Sequence, residues 1–264
     1  MKIGLIGNGA IARYARAQLV ARQHQIGAVL VRPERLANMV AAGEDCSLFV
    51  SCVSELPDDL DCVAECAGHG ALAQYGPHIL GAGHRLVTVS IGALADQALF
   101  ETLESAARSG QSRLILASGA IGALDTLRAA RVGPLTSVHY VGRKPPKGWK
   151  GSPAEAALDL DNLSGKAQTH FRGTARQAAL DYPKNANVAA AVALAGVGFD
   201  NTQVELIADP TISANIHEIC ATGAFGAFQF QIDGQSLPDN PRSSALAAMS
   251  VVASIDDACT PVGF

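Results

Sequence analysis

The segment that most constrains this chain lies at its start, where a short apolar stretch, Ile3–Ile6, runs directly into residues 7–12, GNGAIA. This segment follows the pattern G-x-G-x-x-G/A between a first strand and a first helix, where small residues have mechanical roles. Gly7 allows a tight turn, Gly9 lets a pyrophosphate approach the backbone, and Ala12 lets the helix pack closely on the sheet. We predict a dinucleotide site here. A glycine turn without a ligand is the alternative.

The start of the predicted first helix strengthens the dinucleotide interpretation. The free N–H groups and the partial positive charge at a helix N-terminus favour phosphate groups. The segment therefore supplies a first set of predicted cofactor contacts, Gly7, Asn8, Gly9, Ala10 and Ile11.

The composition is that of a globular protein with a substantial core. Of the 264 residues, 48% are hydrophobic and 17% are charged, and the net charge is −4. A nucleic-acid binder would carry a basic footprint, and a membrane span needs roughly 18 consecutive apolar residues; the sequence has neither. Its start does not resemble a signal peptide. The six cysteines form no C-x-x-C pair, so we expect a cytoplasmic protein without disulfides or a metal site.

The first half alternates between strand and helix patterns. One predicted helix, Arg35–Ala42, ends at Gly43, and another is capped by Asp96 and ends at Gly110. Such a succession of strands and crossover helices predicts an α/β fold with a doubly wound parallel sheet, a Rossmann domain of residues 1–118. Its predicted strands are Ile3–Ile6, Ala28–Val31, Leu48–Val53, Cys62–Ala67, Leu86–Ser90 and Leu114–Ala117.

The second half has more strands than helices, which predicts an α+β domain with a mixed or antiparallel sheet over residues 119–240. Residues 142–149 are interpreted as a rigid basic loop and Asn187–Gly196 as a buried helix. Residues 241–264 are predicted to contain a final helix, Arg242–Ser254, which Pro241 introduces at its first turn. This helix is expected to return to the first domain. The predicted strands are Ser137–Val141, Gln168–Arg172, Gln203–Ala208, Ala214–Cys220 and Phe225–Ile232.

The residue at the end of the second strand bears on the choice of nucleotide. NAD-binding domains place an acidic residue there, about 20 residues beyond the glycines, to hold the ribose hydroxyls. Here Arg32 stands in that position, and a guanidinium favours a 2′-phosphate. The sequence therefore favours NADP, or the use of both NADP and NAD. In the alternative, Arg32 is a solvated loop residue and Glu34 reaches the ribose.

Loops after two further strands add predicted cofactor contacts, because ligands of open α/β sheets bind at the carboxyl ends of the strands. These contacts are Ala67, His69 and Ser90. Glu65, inside an apolar strand, is interpreted as a buried structural carboxylate.

Several segments together resemble one known family over nearly the whole chain, the L-aspartate dehydrogenases. The two most specific are 183–190 and 215–219. Besides the glycine motif, the matching segments are 65–71 (ECAGHGA), 89–94 (VSIGAL), 118–122 (SGAIG), 143–146 (RKPP), 183–190 (PKNANVAA) and 215–219 (NIHEI).

The resemblance implies a Rossmann domain followed by a substrate-binding domain that also forms a homodimer. It implies oxidation of L-aspartate to iminoaspartate with NAD or NADP, and the reverse reductive amination. Iminoaspartate then hydrolyses to oxaloacetate and ammonia or feeds NAD biosynthesis. The catalytic histidine of the family falls on His217, and two further nucleotide contacts fall on Ala120 and Asn187.

The residue types suit this chemistry. A base must remove a proton as hydride leaves Cα, and the ordinary pKa of histidine, about 6.5, suits that role. From spacing alone His217 is more simply a structural histidine, and His69 is its rival. For the carboxylates of the substrate we predict Arg143, Lys144 and Asn215, with Lys147 behind them; a merely solvated basic loop is the alternative.

Two other functions remain open at this point. A related carbonyl or imine reductase, similar to homoserine dehydrogenase or dihydrodipicolinate reductase, would share the two-domain plan. A nucleotide-sensing module without catalysis would also share the fold, because a fold does not fix a function.

Overall fold

The computed structural model describes residues 1–183, 186–238 and 240–262, without the side chains of residues 241 and 242. Lys184 and Asn185, which belong to the segment 183–190 quoted above, therefore lie outside the described residues. The chain divides into two compact units, one made of residues 1–117 and 247–264 and the other of residues 118–246. No helix in the described ranges is both long and apolar enough to cross a membrane.

The first unit contains a six-stranded parallel sheet with the order β3-β2-β1-β4-β5-β6. This is the Rossmann order, which reverses direction between β1 and β4 and so opens a crevice at their carboxyl ends. Its elements are β1 Lys2–Ile6, α1 Ala10–Ala21, β2 Gln25–Leu30, α2 Pro33–Ala41, β3 Phe49–Val50, β4 Cys62–Glu65, α3 His69–Gly81, β5 Arg85–Thr88, α4 Gln97–Ser109 and β6 Leu114–Leu116.

The third strand of this sheet is much shorter than predicted, while the fourth, fifth and sixth end one or two residues earlier than predicted. The apolar run Leu48–Val53 forms a strand only at Phe49–Val50, and a 3₁₀ turn follows at Val53–Glu55. The carboxylate of Glu55 accepts hydrogen bonds from the backbone N–H groups of Ser51, at 2.8 Å, and Cys52, at 3.0 Å. These bonds stabilise a turn where the sequence pattern predicted a continuing strand.

The second unit contains a mixed five-stranded sheet with the order β11-β10-β7-β9-β8, in which only β7 and β9 run parallel. Its elements are α5 Leu124–Ala130, β7 Leu135–Lys144, α6 Ala154–Ala157, β8 Gln168–Thr174, α7 Ala175–Asp181, α8 Asn187–Ala195, β9 Gln203–Ala208, β10 Asn215–Gly223, β11 Gly226–Gly234 and a small hairpin of β12 Ser236–Leu237 and β13 Asn240–Ser244.

The predicted basic loop at 142–149 is wrong in its first part. Strand β7 continues through Lys144 because it is paired on both sides, with Ile216 opposite Arg143 on β10 and Ile207 beside it on β9. A 3₁₀ turn at Pro146–Trp149 follows. The strand alternation therefore fixes which face each basic side chain takes.

The last helix also begins later than predicted. Residues 240–244 pair with β12, so the predicted helix start at Pro241 is wrong, and α9 runs over Ala245–Asp257. Pairing within this short hairpin overrides the proline signal. Val251, Val252 and Ile255 of α9 are buried in the core of the first unit beside β1. The predicted two-part α/β fold with a helix that returns to the first domain is confirmed. The six cysteines are free thiols.

Candidate active site

A cavity of about 770 Å³ opens in the first unit at the carboxyl ends of β1, β2 and β4. Six of the predicted cofactor contacts line it: Gly7, Asn8, Gly9, Arg32, Ala67 and His69.

The two glycines of the first turn give this cavity the backbone geometry that a dinucleotide requires. Gly7 has a φ of +98°, and a Cβ there would lie 2.9 Å from the Cβ of Ala67. Its N–H donates to the carbonyl of Leu30 on β2 at 2.8 Å, which extends the pairing of β1 and β2 to the start of the turn. Gly9, directly before α1, has nothing within 4 Å of an added Cβ, so its backbone is open to a pyrophosphate at the helix N-terminus.

Two cations line the ribose end of this cavity. Arg32 stands directly before α2, and Arg35, which the sequence reasoning did not single out, lies one turn further along. Glu34 is not among the lining residues in the described part of the chain. Gln74 and Tyr75 of α3 also line the cavity and were missed. Their spacing from Ala71, three and four residues, is the helical signal that predicts a shared face.

Glu65 holds the loop after β4 in place. One carboxylate oxygen accepts from the N–H groups of Ala67, at 2.6 Å, and Gly68, at 2.7 Å, and the other accepts from the hydroxyl of Thr88 at 2.6 Å. Thr88 Oγ1 in turn accepts from the N–H of Ser90 at 3.0 Å. The fully buried Glu65 thus links the loops after β4 and β5, consistent with the structural role proposed for it.

The other predicted cofactor residues lie outside the described lining of the cavity. Ala10 and Ile11 are the first two residues of α1, and Ser90 follows β5. Ala120 and Asn187 belong to the second unit: Ala120 is buried after Gly119, whose φ is +72°, and Asn187 begins α8.

His217 lies in the second unit on β10, with 4% of its surface exposed. Its Nδ1 atom is 2.7 Å from the hydroxyl of Tyr140, which is itself buried on β7. Gly142 stands directly opposite His217, and a Cβ at that position would lie 2.7 Å from the Tyr140 hydroxyl. Gly142 therefore makes room for the contact between the two side chains, a role that the sequence reasoning missed.

The surroundings of His217 keep its ring neutral. Burial, with a smaller contribution from the positive charge of Lys144, lowers the pKa of His217 to about 3. Burial also raises the pKa of Tyr140 well above its ordinary value, so its hydroxyl keeps its proton. A neutral imidazole beside a phenol is a group that can accept a proton.

Strand alternation separates the three predicted substrate contacts. Lys144 and Asn215 share the face of His217, because antiparallel neighbours opposite each other point to the same side. A Cβ at Gly148 would lie 3.3 Å from the Cβ of Lys144 and 3.9 Å from Oδ1 of Asn215, so the two side chains converge there. Arg143 lies on the opposite face, where it pairs with Asp209 at 3.0 Å.

An aromatic group adjoins Lys144. Its Nζ atom lies 4.9 Å from the ring centre of Trp149, and the ring of His170 meets Trp149 edge-on at 4.4 Å. Tyr182 contacts His170, with Nδ1 of the imidazole 3.2 Å from the phenol oxygen. Burial lowers the pKa of Lys144 to about 8. We call Tyr140, Lys144, Trp149, His170, Tyr182 and His217 the histidine cluster.

In the described ranges, no group of three or more His, Cys, Asp or Glu side chains is arranged to hold a metal ion.

Comparison with known proteins is consistent with this geometry. Residues 125–258 match the family model described as aspartate dehydrogenase, C-terminal, and residues 3–117 match the NAD-binding domain of homoserine dehydrogenase. The chain is 55% identical to the L-aspartate dehydrogenase of Ruegeria pomeroyi, over 97% of this chain and 91% of that protein. The chain belongs to the L-aspartate dehydrogenase family.

Other members of the L-aspartate dehydrogenase family agree. The protein from Polaromonas sp. is 45% identical over 96% of this chain and 95% of its own length. The crystal structure of aspartate dehydrogenase from Thermotoga maritima superimposes with a TM-score of 0.78 at 26% identity, covering 100% of this chain and 99% of that one. The family assignment made from the sequence is confirmed, and with it an NAD(P)-dependent oxidoreductase.

Proposed function

We propose that this protein oxidises L-aspartate to iminoaspartate with NADP or NAD, and catalyses the reverse reductive amination of oxaloacetate with ammonia. One observation carries the proposal: a neutral, buried His217, held by Tyr140, shares a face with the cation of Lys144. A base and a carboxylate-binding cation on one face are what the oxidation of an amino acid requires, and the relatives named L-aspartate dehydrogenase indicate which amino acid.

The first unit holds the nucleotide in this proposal. The pyrophosphate lies against the turn formed by Gly7, Asn8, Gly9, Ala10 and Ile11, and Ala67, His69 and Ser90 line the remaining path. Ala120 and Asn187 stay cofactor contacts that the family resemblance predicts. Bound NAD(P)⁺ supplies the acceptor for the hydride that leaves Cα of the substrate.

His217 acts as the base. Amine oxidation requires a neutral amino group, because an ammonium has no lone pair to form the C=N bond. In the tautomer with its proton on Nδ1, His217 donates to the oxygen of Tyr140, and Nε2 keeps a lone pair that accepts the proton of the substrate. A bound dicarboxylate offsets the charge of Lys144 and so removes the smaller, electrostatic part of the effect that lowers the pKa of His217.

Lys144 and Asn215 bind the carboxylates. The ammonium of Lys144 supplies the charge, and the amide of Asn215 supplies a neutral donor on the same face. The proposal assigns Arg143 to its ion pair with Asp209 on the other face, which leaves it without a substrate contact.

Arg32 is proposed to bind the 2′-phosphate of NADP. The second guanidinium at Arg35, in the lining of the same cavity, supports this preference. A cavity rim with two cations suits a phosphate dianion better than a pair of ribose hydroxyls.

We also propose a cytoplasmic homodimer formed through the second unit. The face of its sheet opposite His217 carries Thr222, Gln229 and Gln231, which are exposed in the single chain. Light scattering of the purified protein gives the mass directly: twice the chain mass supports the dimer, and a monomer at micromolar concentration contradicts it.

Oxidation of NADPH and NADH at 340 nm with oxaloacetate, with and without ammonium chloride, tests the activity. Oxidation that requires ammonium is expected and establishes reductive amination. Oxidation without ammonium would instead indicate a carbonyl reductase. Nucleotide binding without any turnover would favour a sensing module.

A further inference from the structure

His170 occupies an irregular position in the sheet of the second unit. On β8, Thr169 pairs with Ile207 and Phe171 pairs with the next residue of β9, Leu206, so His170 is the extra residue of a bulge. Gln168, two residues earlier, pairs with Ala208 beside Lys144, so alternation places His170 on the face of Lys144, and the bulge adds Phe171 to that face. Here the ring of His170 packs edge-on against Trp149, within the histidine cluster.

The hydrogen bonding of this ring is incomplete within the described residues. Nδ1 lies 3.2 Å from the hydroxyl of Tyr182, but Nε2 is buried and has no hydrogen-bond partner. Burial, with a smaller contribution from the charge of Lys144, lowers the pKa of His170 to about 4, so the ring is neutral. When the hydroxyl of Tyr182 donates to Nδ1, the proton of the ring is on Nε2. A buried donor without an acceptor requires an explanation, and a ligand is one.

A cation lies beside this donor. Lys144 acts electrostatically on both His170 and His217, and its Nζ atom lies over the ring of Trp149 that His170 also contacts. Strands β10 and β8 lie on opposite sides of β7. His170 therefore approaches the cation from the side opposite His217. An ammonium and an N–H donor whose side chains contact the same aromatic ring can bind one carboxylate together.

We propose that Nε2–H of His170 donates a hydrogen bond to the side-chain carboxylate of the substrate, beside Lys144, and so selects dicarboxylic over monocarboxylic amino acids. The proposal rests on the proposed aspartate oxidation. The reacting end of the substrate lies at His217, and the remote carboxylate reaches the side of β8. A site with a donor for one substrate group discriminates strongly against an analogue that lacks this group, such as L-alanine.

Two substitutions of His170 distinguish the effect of its hydrogen-bond donor from the effect of its aromatic ring. His170→Phe keeps an aromatic ring against Trp149 and removes the donor, whereas His170→Gln retains an amide donor at a similar reach. We expect His170→Phe to raise KM for L-aspartate and the inhibition constant of succinate by about 10- to 100-fold, with a much smaller change in kcat. His170→Gln should recover much of the affinity. The preference for L-aspartate over L-alanine should fall in His170→Phe.

His139→Phe is the matched control, because His139 lies on the opposite face of the same sheet, where its partner on β10 is Cys220. It should leave the succinate inhibition constant within twofold of wild type. Thermal melting and NADPH affinity verify that each variant is folded. If His170→Phe does not fold, Tyr182→Phe replaces it: without the Tyr182 donor, we expect succinate to bind about threefold more weakly.

The outcomes distinguish this proposal from the proposed function. If folded His170→Phe binds succinate as wild type does, or loses only kcat, the assignment of His170 is overturned, while the aspartate activity stands. If wild type does not oxidise L-aspartate but binds succinate, and His170→Phe weakens that binding, the carboxylate site stands and the proposed reaction does not.

Discussion

The hydroxyl of Tyr140 lies 2.7 Å from Nδ1 of His217, across two neighbouring strands of the second unit. The bond fixes one nitrogen of the ring and leaves Nε2 for chemistry. It exists because β10 and β7 pair so that Gly142, opposite His217, leaves space for the phenol. The orientation of the proposed base therefore depends on a glycine that has no chemical function of its own.

His217→Ala should lose turnover while it keeps nucleotide affinity. Removal of a general base typically costs about 10²- to 10⁴-fold in kcat, and the nucleotide cavity lies in the other unit. Steady-state kinetics and NADPH titration measure the two effects. His139→Ala, on the opposite face of the sheet, is the control. An unchanged kcat in His217→Ala would contradict the assignment of His217 as the base.

Tyr140→Phe should lower kcat about tenfold with little change in KM for L-aspartate. The ring of Phe fills the same space, but Nδ1 of His217 loses its partner, so the imidazole is held less firmly. Kinetics of the folded variant test this. A change in KM alone would show instead that the Tyr140 hydroxyl contacts substrate.

Gly142→Ala should be more damaging alone than in combination with Tyr140→Phe. The added Cβ lies 2.7 Å from the Tyr140 hydroxyl but 3.3 Å from the adjacent ring carbon, so removal of the hydroxyl relieves the closest clash. A double-mutant cycle on the free energy of unfolding measures the coupling, which should be about 1 kcal/mol. Additive effects would show that Gly142 is required for another reason.

Lys144→Met should stabilise the free protein and weaken substrate binding. Burial lowers the pKa of Lys144 to about 8, below its unfolded value of about 10.4, so the charged form is disfavoured in the folded state. The free energy of unfolding of the wild type should therefore rise as pH increases from about 8 to 10.4. Below pH 8 the charged lysine destabilises the folded state to the full extent. The variant removes this deficit, by roughly 1–3 kcal/mol at pH 7.

Denaturant unfolding of both proteins at pH 7 and pH 10.5 tests this expectation, because the advantage of Lys144→Met should nearly vanish at the higher pH. At pH 7 its KM for L-aspartate should rise by about 100-fold through loss of the carboxylate partner. Greater stability of the wild type at pH 7 would contradict the expectation that the partly buried ammonium of Lys144 destabilises the folded state.

Arg32→Ala should raise KM for NADP by about tenfold and KM for NAD far less, because only NADP carries the 2′-phosphate. Arg35→Ala should act in the same direction and more weakly. Arg108→Ala provides a control, since Arg108 is exposed and pairs with Glu104 within α4. Equal effects of Arg32→Ala on both nucleotides would exclude recognition of the 2′-phosphate.

The sequence determined the parts of this protein that depend on local pattern. The glycine turn and the alternation of strands and helices are short-range features. They suffice to predict the Rossmann sheet, its nucleotide turn and the ligand-binding loops at the carboxyl ends of its strands. The matched segments, above all NIHEI around His217, assigned the family. Local signals failed where pairing overrode them, at the extended β7 and at the start of α9.

Only the tertiary structure decided which side chains meet. Arg143 and Lys144 are neighbours in sequence, but alternation on a paired strand sends them to opposite faces. Tyr140 and His217 are 77 residues apart and meet only through the register of β7 and β10. His170 reaches the histidine cluster because β8 pairs with β9, which lies beside β7. Strand register and bulges arise from long-range hydrogen bonding, which composition and local pattern do not specify.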